Sequence, residues 1–395
     1  MSSASVAQPS ASPRETAERG ARSSDLRVLA WPGLGALAQN PYTWLLYSHL
    51  AEVGVRVEEF TPGRALRGGY DILHAHWPDK ALNAGSWFGT LIRAVAAVAL
   101  VESARLHGAR VVWTAHNAEP HESRHPRVER WFWSAFVRRV HAVIHPSAAG
   151  RLAVEDRFPS LSSRTNALVA HGHFRGAYPD TLTRDDARAT LAISAGVPVI
   201  AFVGRVREYK NVPHLVRTVR ALHARGNEMV LLVAGAAQTP ALAEETRAAA
   251  EGDRRIQLRL EHVPAAEVQR YLRAADLVVL PFTEITNSGS AVLALSFERP
   301  VLVPALGAMG ELQALAGRDW VRAYEGELTP DELAAALEWA TRSPRDSGPR
   351  LEALGWPQIA HQTLAVYDAA RRPALEHAPS GLTGAPERAR SAGRL

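Results

Sequence analysis

The sequence predicts an α/β protein of two doubly wound domains that face each other across a cleft. Three observations predict it. Short β-branched or apolar runs alternate with longer helical patterns, which is the pattern of parallel sheets with crossover helices. At 395 residues the chain is too long for one ordinary core and suits two. A Pro/Asp/Thr stretch at residues 178–183 breaks the alternation after the sixth strand and reads as the link between domains.

Strands are expected at residues 26–31, 55–60, 71–74, 110–115, 142–145 and 167–170, with helices at 42–53, 88–106 and 127–140 between them. In the second half strands are expected at 199–203, 229–234, 256–260, 277–280 and 301–304, and helices at 211–224, 265–274, 289–297 and 330–341. A last helix, 356–371, is expected to cross back and brace the first domain. The expected organisation is a disordered tail at 1–24, a first domain at 25–180, a second at 181–350, a crossover helix at 351–372 and a disordered tail at 373–395. Ligands of such domain pairs sit in the cleft, at the carboxyl ends of the strands.

Composition narrows the function. The chain has no cysteine, which excludes a disulfide framework and thiolate chemistry and fits a reducing, cytoplasmic compartment. The net charge of +5 comes almost entirely from arginine, since Lys80 and Lys210 are the only lysines. These charges are scattered among acids rather than gathered on one face, so no nucleic-acid partner is expected. The N-terminal tail lacks the apolar run of a signal peptide. No stretch reaches about 18 uncharged apolar residues; the nearest, 94–101, is cut off by Arg93 and Glu102.

The strongest local signal is Phe202-Val203-Gly204-Arg205-Val206-Arg207-Glu208-Tyr209-Lys210-Asn211. An apolar strand ends in Gly204, which permits close backbone approach, and Arg205 and Lys210 bring two cations to one loop before a helix. That combination suits a diphosphate, with a guanidinium fork, a point charge and the positive end of a helix. Two solvated cations on a βα turn are the plainer reading.

A second loop, Pro281-Phe282-Thr283-Glu284-Ile285-Thr286-Asn287-Ser288-Gly289-Ser290, follows a buried strand and opens a helix. Free amides at residues 288–291 can cradle phosphate oxygens, together with Asn287, Ser288, Gly289 and Ser290. Glu284 is placed to accept sugar or ribose hydroxyls. Simple helix capping would explain the serines but not Thr286, Asn287 and Gly289.

In the first half, Thr114-Ala115-His116-Asn117-Ala118-Glu119-Pro120-His121-Glu122 follows a strand. His116 is a candidate for a sugar hydroxyl or donor phosphate, and Glu119 or Glu122 for a general base. The spacing is not that of a metal-binding helix, so no metal is expected. His74-Ala75-His76-Trp77-Pro78-Asp79-Lys80 supplies Asp79 as another base and Trp77 as a sugar-stacking platform or a core residue. The loop after the first strand, with Gly33, Gly35 and Asn40, is the expected approach for an acceptor. Arg130, Trp131, Arg138 and Arg139 combine aromatic and basic character suited to a membrane interface, although Trp133, Phe136 and Val137 follow core spacing as well.

Together these motifs resemble the GT-B glycosyltransferases, especially the glycogen-synthase-like and sucrose-synthase-like group that builds bacterial polysaccharides. The resemblance runs from about residue 26 to residue 371 and rests on Gly204, Arg205 and Lys210, on Ala275-Asp276-Leu277-Val278-Val279-Leu280-Pro281, on Arg299-Pro300-Val301 and on Trp356-Pro357. The Asn-Pro-Tyr, His-Trp-Pro, Thr-Ala-His-Asn and Asn-Ser-Gly-Ser segments resemble an exopolysaccharide-type subgroup, some members of which are mannosyltransferases. The resemblance implies two Rossmann-like domains, a nucleotide-sugar donor as the only cosubstrate with no cofactor, and a lipid-linked or polysaccharide acceptor. It also implies work at the inner face of the cell membrane, with peripheral membrane contact.

One departure stands out. Retaining members of the group carry two glutamates eight residues apart across the last donor loop. Counting back from Pro300, the second position is Leu293 and the first Ile285, with Glu284 one residue away. An inverting displacement is therefore open, with Asp79, Glu119 or Glu122 as base. The departure also motivates an alternative: a non-catalytic glycan- or nucleotide-binding subunit on the same fold.

Overall fold

A computed structural model describes residues 26–36, 41–82, 86–117, 125–342, 345 and 347–372. Two parallel six-stranded sheets organise them. The first contains β1 (Arg27–Trp31), β2 (Arg56–Glu59), β3 (Ile72–Ala75), β4 (Arg110–Thr114), β5 (Ala142–His145) and β6 (Thr165–Leu168), in the order β2-β1-β3-β4-β5-β6. The second contains β7 (Val199–Val203), β8 (Val230–Ala234), β9 (Ile256–Arg259), β10 (Leu277–Val279), β11 (Val301–Pro304) and β12 (Val321–Tyr324), in the order β12-β11-β10-β7-β8-β9. Central strands such as β7 and β5 are buried along their whole length, as continuous apolar runs covered on both faces must be.

The helices of the first half are α1 (Pro41–Glu52), α2 (Pro62–Arg67), α3 (Trp87–Leu106), α4 (Pro126–Val137) and α5 (Ala148–Arg157). Those of the second are α6 (Arg184–Thr190), α7 (Val212–Ala224), α8 (Pro240–Ala250), α9 (Ala265–Ala274), α10 (Gly289–Ser296), α11 (Met309–Ala316) and α12 (Pro330–Arg342). The last helix, α13 (Trp356–Arg371), packs on α1 and on β4, β5 and β6 of the first sheet. Trp356 Nε1 donates to the His173 carbonyl at 2.6 Å, and Arg371 pairs with Asp71 at 3.2 Å.

The α/β class and the two parallel sheets agree with the expectation. The structure adds β12 and the short helices α2, α5, α6, α8 and α11. β12 reads Val-Arg-Ala-Tyr at a sheet edge, with half-buried Arg322 and Ala323 between two buried ends, so no long apolar run forms. The membrane-span expectation is revised for α3. It has the length and composition to cross a membrane, yet Ala94, Ala97, Val98, Val101 and Ala104 are buried in the fold.

Both strand orders reverse once, and that places the site. In the second sheet the order is that of a dinucleotide-binding fold, with the reversal between β7 and β10; in the first it lies between β1 and β3. Crevices open beyond the carboxyl ends of strands at such reversals. The loops after β7 and β10 carry the Gly204–Lys210 and Glu284–Ser290 motifs; those after β1 and β3 carry the Gly33 and Trp77–Lys80 motifs.

Candidate active site

On the second-domain wall, β7 runs into Gly204, whose amide continues the ladder to the Ala234 carbonyl at 2.9 Å. Gly204 has φ +137°, a conformation for which glycine is suited. A Cβ there would lie 3.2 Å from Ser290 Oγ and 3.4 Å from Lys210 Nζ. The loops after β7 and β10 therefore meet at this glycine. Thr283, from the loop after β10, donates its amide to the Tyr209 carbonyl at 2.8 Å and joins them again.

Arg205 is exposed, Arg207 half-buried and Lys210 buried. Lys210 extends over the rings of Phe282 (5.3 Å) and Phe202 (5.7 Å). Burial pushes its ammonium down to about 7, and Arg207 and Arg205 push it the same way. Asn211, left-handed at φ +51°, turns the chain from this loop into α7. Ser288 caps α10 by accepting from the Ala291 amide at 3.1 Å. Glu284 is exposed at the rim, and Leu293 is half-buried on α10.

On the first-domain wall, His116 lies at the end of β4 with its ring stacked on Trp77 at 4.5 Å and 16°. Tyr42 meets it edge-on at 4.8 Å. Trp77 thus presents a ring face to an imidazole rather than standing open as a platform; Lys80 Nζ sits 4.7 Å from the same ring. His74, His76 and His116 are buried and His171 is half-buried, and desolvation holds all four imidazoles below their ordinary range.

Asp79 lies on a short 3-10 turn after β3. Desolvation pushes its carboxyl up and Glu129 adds to that, while Lys80 and Arg207 pull it down. The influence of Arg207 is notable because that guanidinium belongs to the opposite domain: the carboxylate candidate and the cation loop share one electrostatic neighbourhood.

Two contacts bridge the walls. Asn287 Nδ2 donates to the His116 carbonyl at 3.0 Å. The Glu311 carboxylate of α11 accepts from the Ala148 and Ala149 amides at the start of α5, both at 2.9 Å. A carboxylate on a helix N-terminus is a favourable pairing of charge and dipole.

The structure therefore gathers Asp79, His116, Trp77, Gly204, Arg205, Lys210, Asn287, Ser288, Gly289 and Ser290 around one cleft. Gly33 and Gly35 are engaged differently. Their amides donate to the Glu59 carboxylate at 2.9 and 3.1 Å, so their first partner is internal. Asn40, Glu119 and Glu122 lie outside the described residues. Sequence reasoning missed Arg207, two residues beyond Arg205 in the same motif. It also missed His171, whose Nε2 would be 3.6 Å from a Cβ at Gly289, because that histidine comes from the segment after β6.

Two Rossmann-like domains, each built on a parallel six-stranded sheet and facing each other across a cleft, are the GT-B fold, and solved structures of that shape match it. Sucrose-phosphate synthase from Thermosynechococcus elongatus superimposes with a TM-score of 0.57 over 88% of this chain and 96% of that one, at 16% identity. The Anabaena protein HepE, in complex with UDP and glucose, gives 0.56 over 87% and 98%, also at 16% identity. Residues 197–342 match the family model of glycosyl transferases group 1. A GDP-mannose:glycolipid 4-beta-D-mannosyltransferase from Xanthomonas campestris pv. campestris is 31% identical over 329 residues, covering 83% of this chain and 88% of that relative. The chain belongs to the group 1 glycosyl transferases.

Proposed function

We propose that this glycosyltransferase moves mannose from GDP-mannose onto a hydroxyl of a lipid-linked glycan, with inversion at the anomeric carbon. The observation that carries the reading is the facing pair of features at the cleft: Arg205, Arg207 and Lys210 on one wall, and half-buried Asp79 on the other, within the reach of Arg207. The relative's name supplies the donor and the glycolipid acceptor.

In the reaction, the acceptor oxygen attacks the anomeric carbon while the bond from that carbon to the diphosphate oxygen breaks. The electron pair leaves with the diphosphate, whose charge meets the three cations and the amides at the start of α10. The acceptor proton passes to the Asp79 carboxylate. A carboxyl raised by desolvation is the stronger base, and catalysis of this type works best with a pKa brought toward the working pH. Leu293, where retaining members carry a glutamate, and the β linkage in the relative's name both support inversion over retention. The nucleotide sugar is the only cosubstrate in this scheme, which assigns no cofactor.

The acceptor class also accounts for the outer surface of the first domain. Along α3, Phe88 and Ile92 are 72% and 68% exposed, and Trp87, Val95 and Leu106 are exposed beside them. The neighbouring α4 turns Arg127, Arg130 and Trp131 outward, and Arg138, at its C-terminal end, is exposed as well. An apolar ridge flanked by cations is the chemistry of an anionic bilayer surface, and we assign it to peripheral contact at the cytoplasmic face. Ile92→Asp should abolish sedimentation with phosphatidylglycerol vesicles; retained sedimentation removes this assignment.

A thermal-shift panel of nucleoside diphosphates and nucleotide sugars tests the main reading. A selective shift with GDP and GDP-mannose, lost in Lys210→Ala, is expected. A selective shift with another nucleotide replaces the donor, and binding without turnover on any glycolipid extract favours a non-catalytic subunit.

A further inference from the structure

The buried wall of the cleft contains a line of polar groups that the displacement does not use. Tyr47 on α1 places its hydroxyl 2.8 Å from His76 Nε2. His76 places its other ring nitrogen, Nδ1, 3.1 Å from His116 Nε2. All three side chains are buried. Desolvation keeps both imidazoles neutral, and a neutral imidazole has one donor nitrogen and one acceptor nitrogen.

The direction of such a chain is set by the end that has no choice. Tyr47 is that end. Among the described residues its hydroxyl has no hydrogen-bond partner other than His76, and a buried O–H without an acceptor is costly. The hydroxyl therefore donates to His76 Nε2. His76 must then carry its proton on Nδ1 and donate it to His116 Nε2. His116 in turn carries its proton on Nδ1, the ring nitrogen without a hydrogen-bond partner among the described residues. Running the chain the other way would leave the phenolic hydrogen with nothing to meet.

The ring at the end of the chain is held in place. It lies flat on Trp77, Tyr42 meets its edge, and its own carbonyl accepts from Asn287 of the other domain. Beside it, His74 lies between two hydroxyls, Tyr367 at 2.7 Å and Thr114 at 2.8 Å, and can accept from either. That neighbouring set does not choose a tautomer. The Tyr47 set does.

We propose that Tyr47 is a positioning residue which, through His76, holds His116 as the Nδ1–H tautomer, so that His116 offers the cleft an N–H and serves as a hydrogen-bond donor rather than a base. The ligand group it serves is an acceptor oxygen, either a hydroxyl of the transferred sugar or an oxygen of the diphosphate. The identity of the ligand rests on the nucleotide-sugar reading of the cleft; the tautomer does not.

The test is long-range proton–nitrogen NMR on the full-length chain labelled with ¹⁵N-histidine, with His116→Gln and His76→Gln used for assignment. The expected spectrum shows both imidazoles protonated on Nδ1. In Tyr47→Phe the His116 signals should move toward the Nε2–H form, and the Kd for GDP-mannose should rise about fivefold to tenfold, the weight of one hydrogen bond. A parallel loss for GDP alone assigns the N–H to phosphate; a loss confined to GDP-mannose assigns it to the sugar. An Nε2–H His116 in the unsubstituted protein overturns the proposal, and that measurement stands even if Tyr47→Phe does not fold. An unchanged His116 spectrum in a folded Tyr47→Phe overturns it equally. The expected tautomer in a protein that binds no nucleotide sugar supports the chain of hydrogen bonds and removes the donor reading instead.

Discussion

The two walls of the cleft are built from opposite materials. The second-domain wall is assembled from loops: a glycine at positive φ, cations at graded depth and a capped helix start. The first-domain wall is assembled from rings, with half-buried Trp77 stacked on His116, Tyr42 meeting that ring edge-on, and Tyr42, His76 and His116 buried. One wall is prepared for negative charge, and the other holds neutral groups in fixed orientation. In the proposed reaction the difference divides the labour: charge that develops on the leaving diphosphate would be met by cations already in place, while direction and protonation would be set by geometry.

The comparison is broken most severely at Asp79, the carboxylate candidate among the described residues that lies in electrostatic reach of the cation wall. Asp79→Asn should lower kcat by about 10²- to 10⁴-fold and leave the GDP-induced thermal shift intact. Its raised carboxyl also places the acid limb of the rate profile above that of an ordinary aspartate. A normal kcat in this variant would move the base to another residue.

The cation wall comes next. Lys210→Met should reduce kcat/KM by about 10²- to 10³-fold, the usual weight of a donor aimed at developing charge. The same change should raise the melting temperature of the free protein, because it removes a buried amine that has no carboxylate partner among the described residues. Activity and stability moving in opposite directions is the outcome that distinguishes a functional lysine from a structural one.

Protonation sharpens the contrast. With its folded-state value near 7 and its unfolded value near 10.5, Lys210 is neutral in the fold and charged in the unfolded chain between those limits. Its linkage therefore makes stability rise with pH across that window. A bound diphosphate restores the charge, so GDP binding should take up a proton above pH 7 and weaken as pH rises. Calorimetry in buffers of different ionisation enthalpy checks this. A buffer-independent binding enthalpy at pH 8 would mean that the lysine does not change its protonation on binding, against this expectation.

The smallest effect belongs to the loop after β1. Glu59→Gln exchanges two charge-assisted bonds to the Gly33 and Gly35 amides for weaker ones. It should cost about 1 kcal/mol of stability in a denaturant titration with little change in GDP affinity. A large loss of GDP affinity would bring that loop into the donor site.

The cation wall was largely legible in the sequence because its chemistry is local. Gly204, Arg205 and Lys210 lie within one motif, and Ser288 caps the helix it immediately precedes. The ring wall was legible only in fragments. His116 drew attention at a strand end and His76 only as part of its segment, but Tyr47 is 29 residues from His76, and His76 is 40 from His116. No periodicity reports which histidine nitrogen meets which hydroxyl. The same limit explains Gly33 and Gly35, read as an open approach for an acceptor. Their partner Glu59 is 26 and 24 residues away, and strand pairing alone brings it to the loop. Strand β12 escaped for a different reason, since an edge strand with Arg322 in its middle has no continuous apolar signal.

Glu311 has a consequence for turnover. Its carboxylate belongs to one domain, and the two amides it occupies open a helix of the other. Parting the domains to let GDP out would return a carboxylate and two backbone amides to water at once, along with the Asn287–His116 bond. Dissolved ions compete for exposed carboxylates and helix ends alike, so added salt should ease that separation. If departure of the spent nucleotide limits the cycle, moderate salt would quicken it before higher salt weakens capture of the donor, and ionic strength would act as a brake and a release on the same machine.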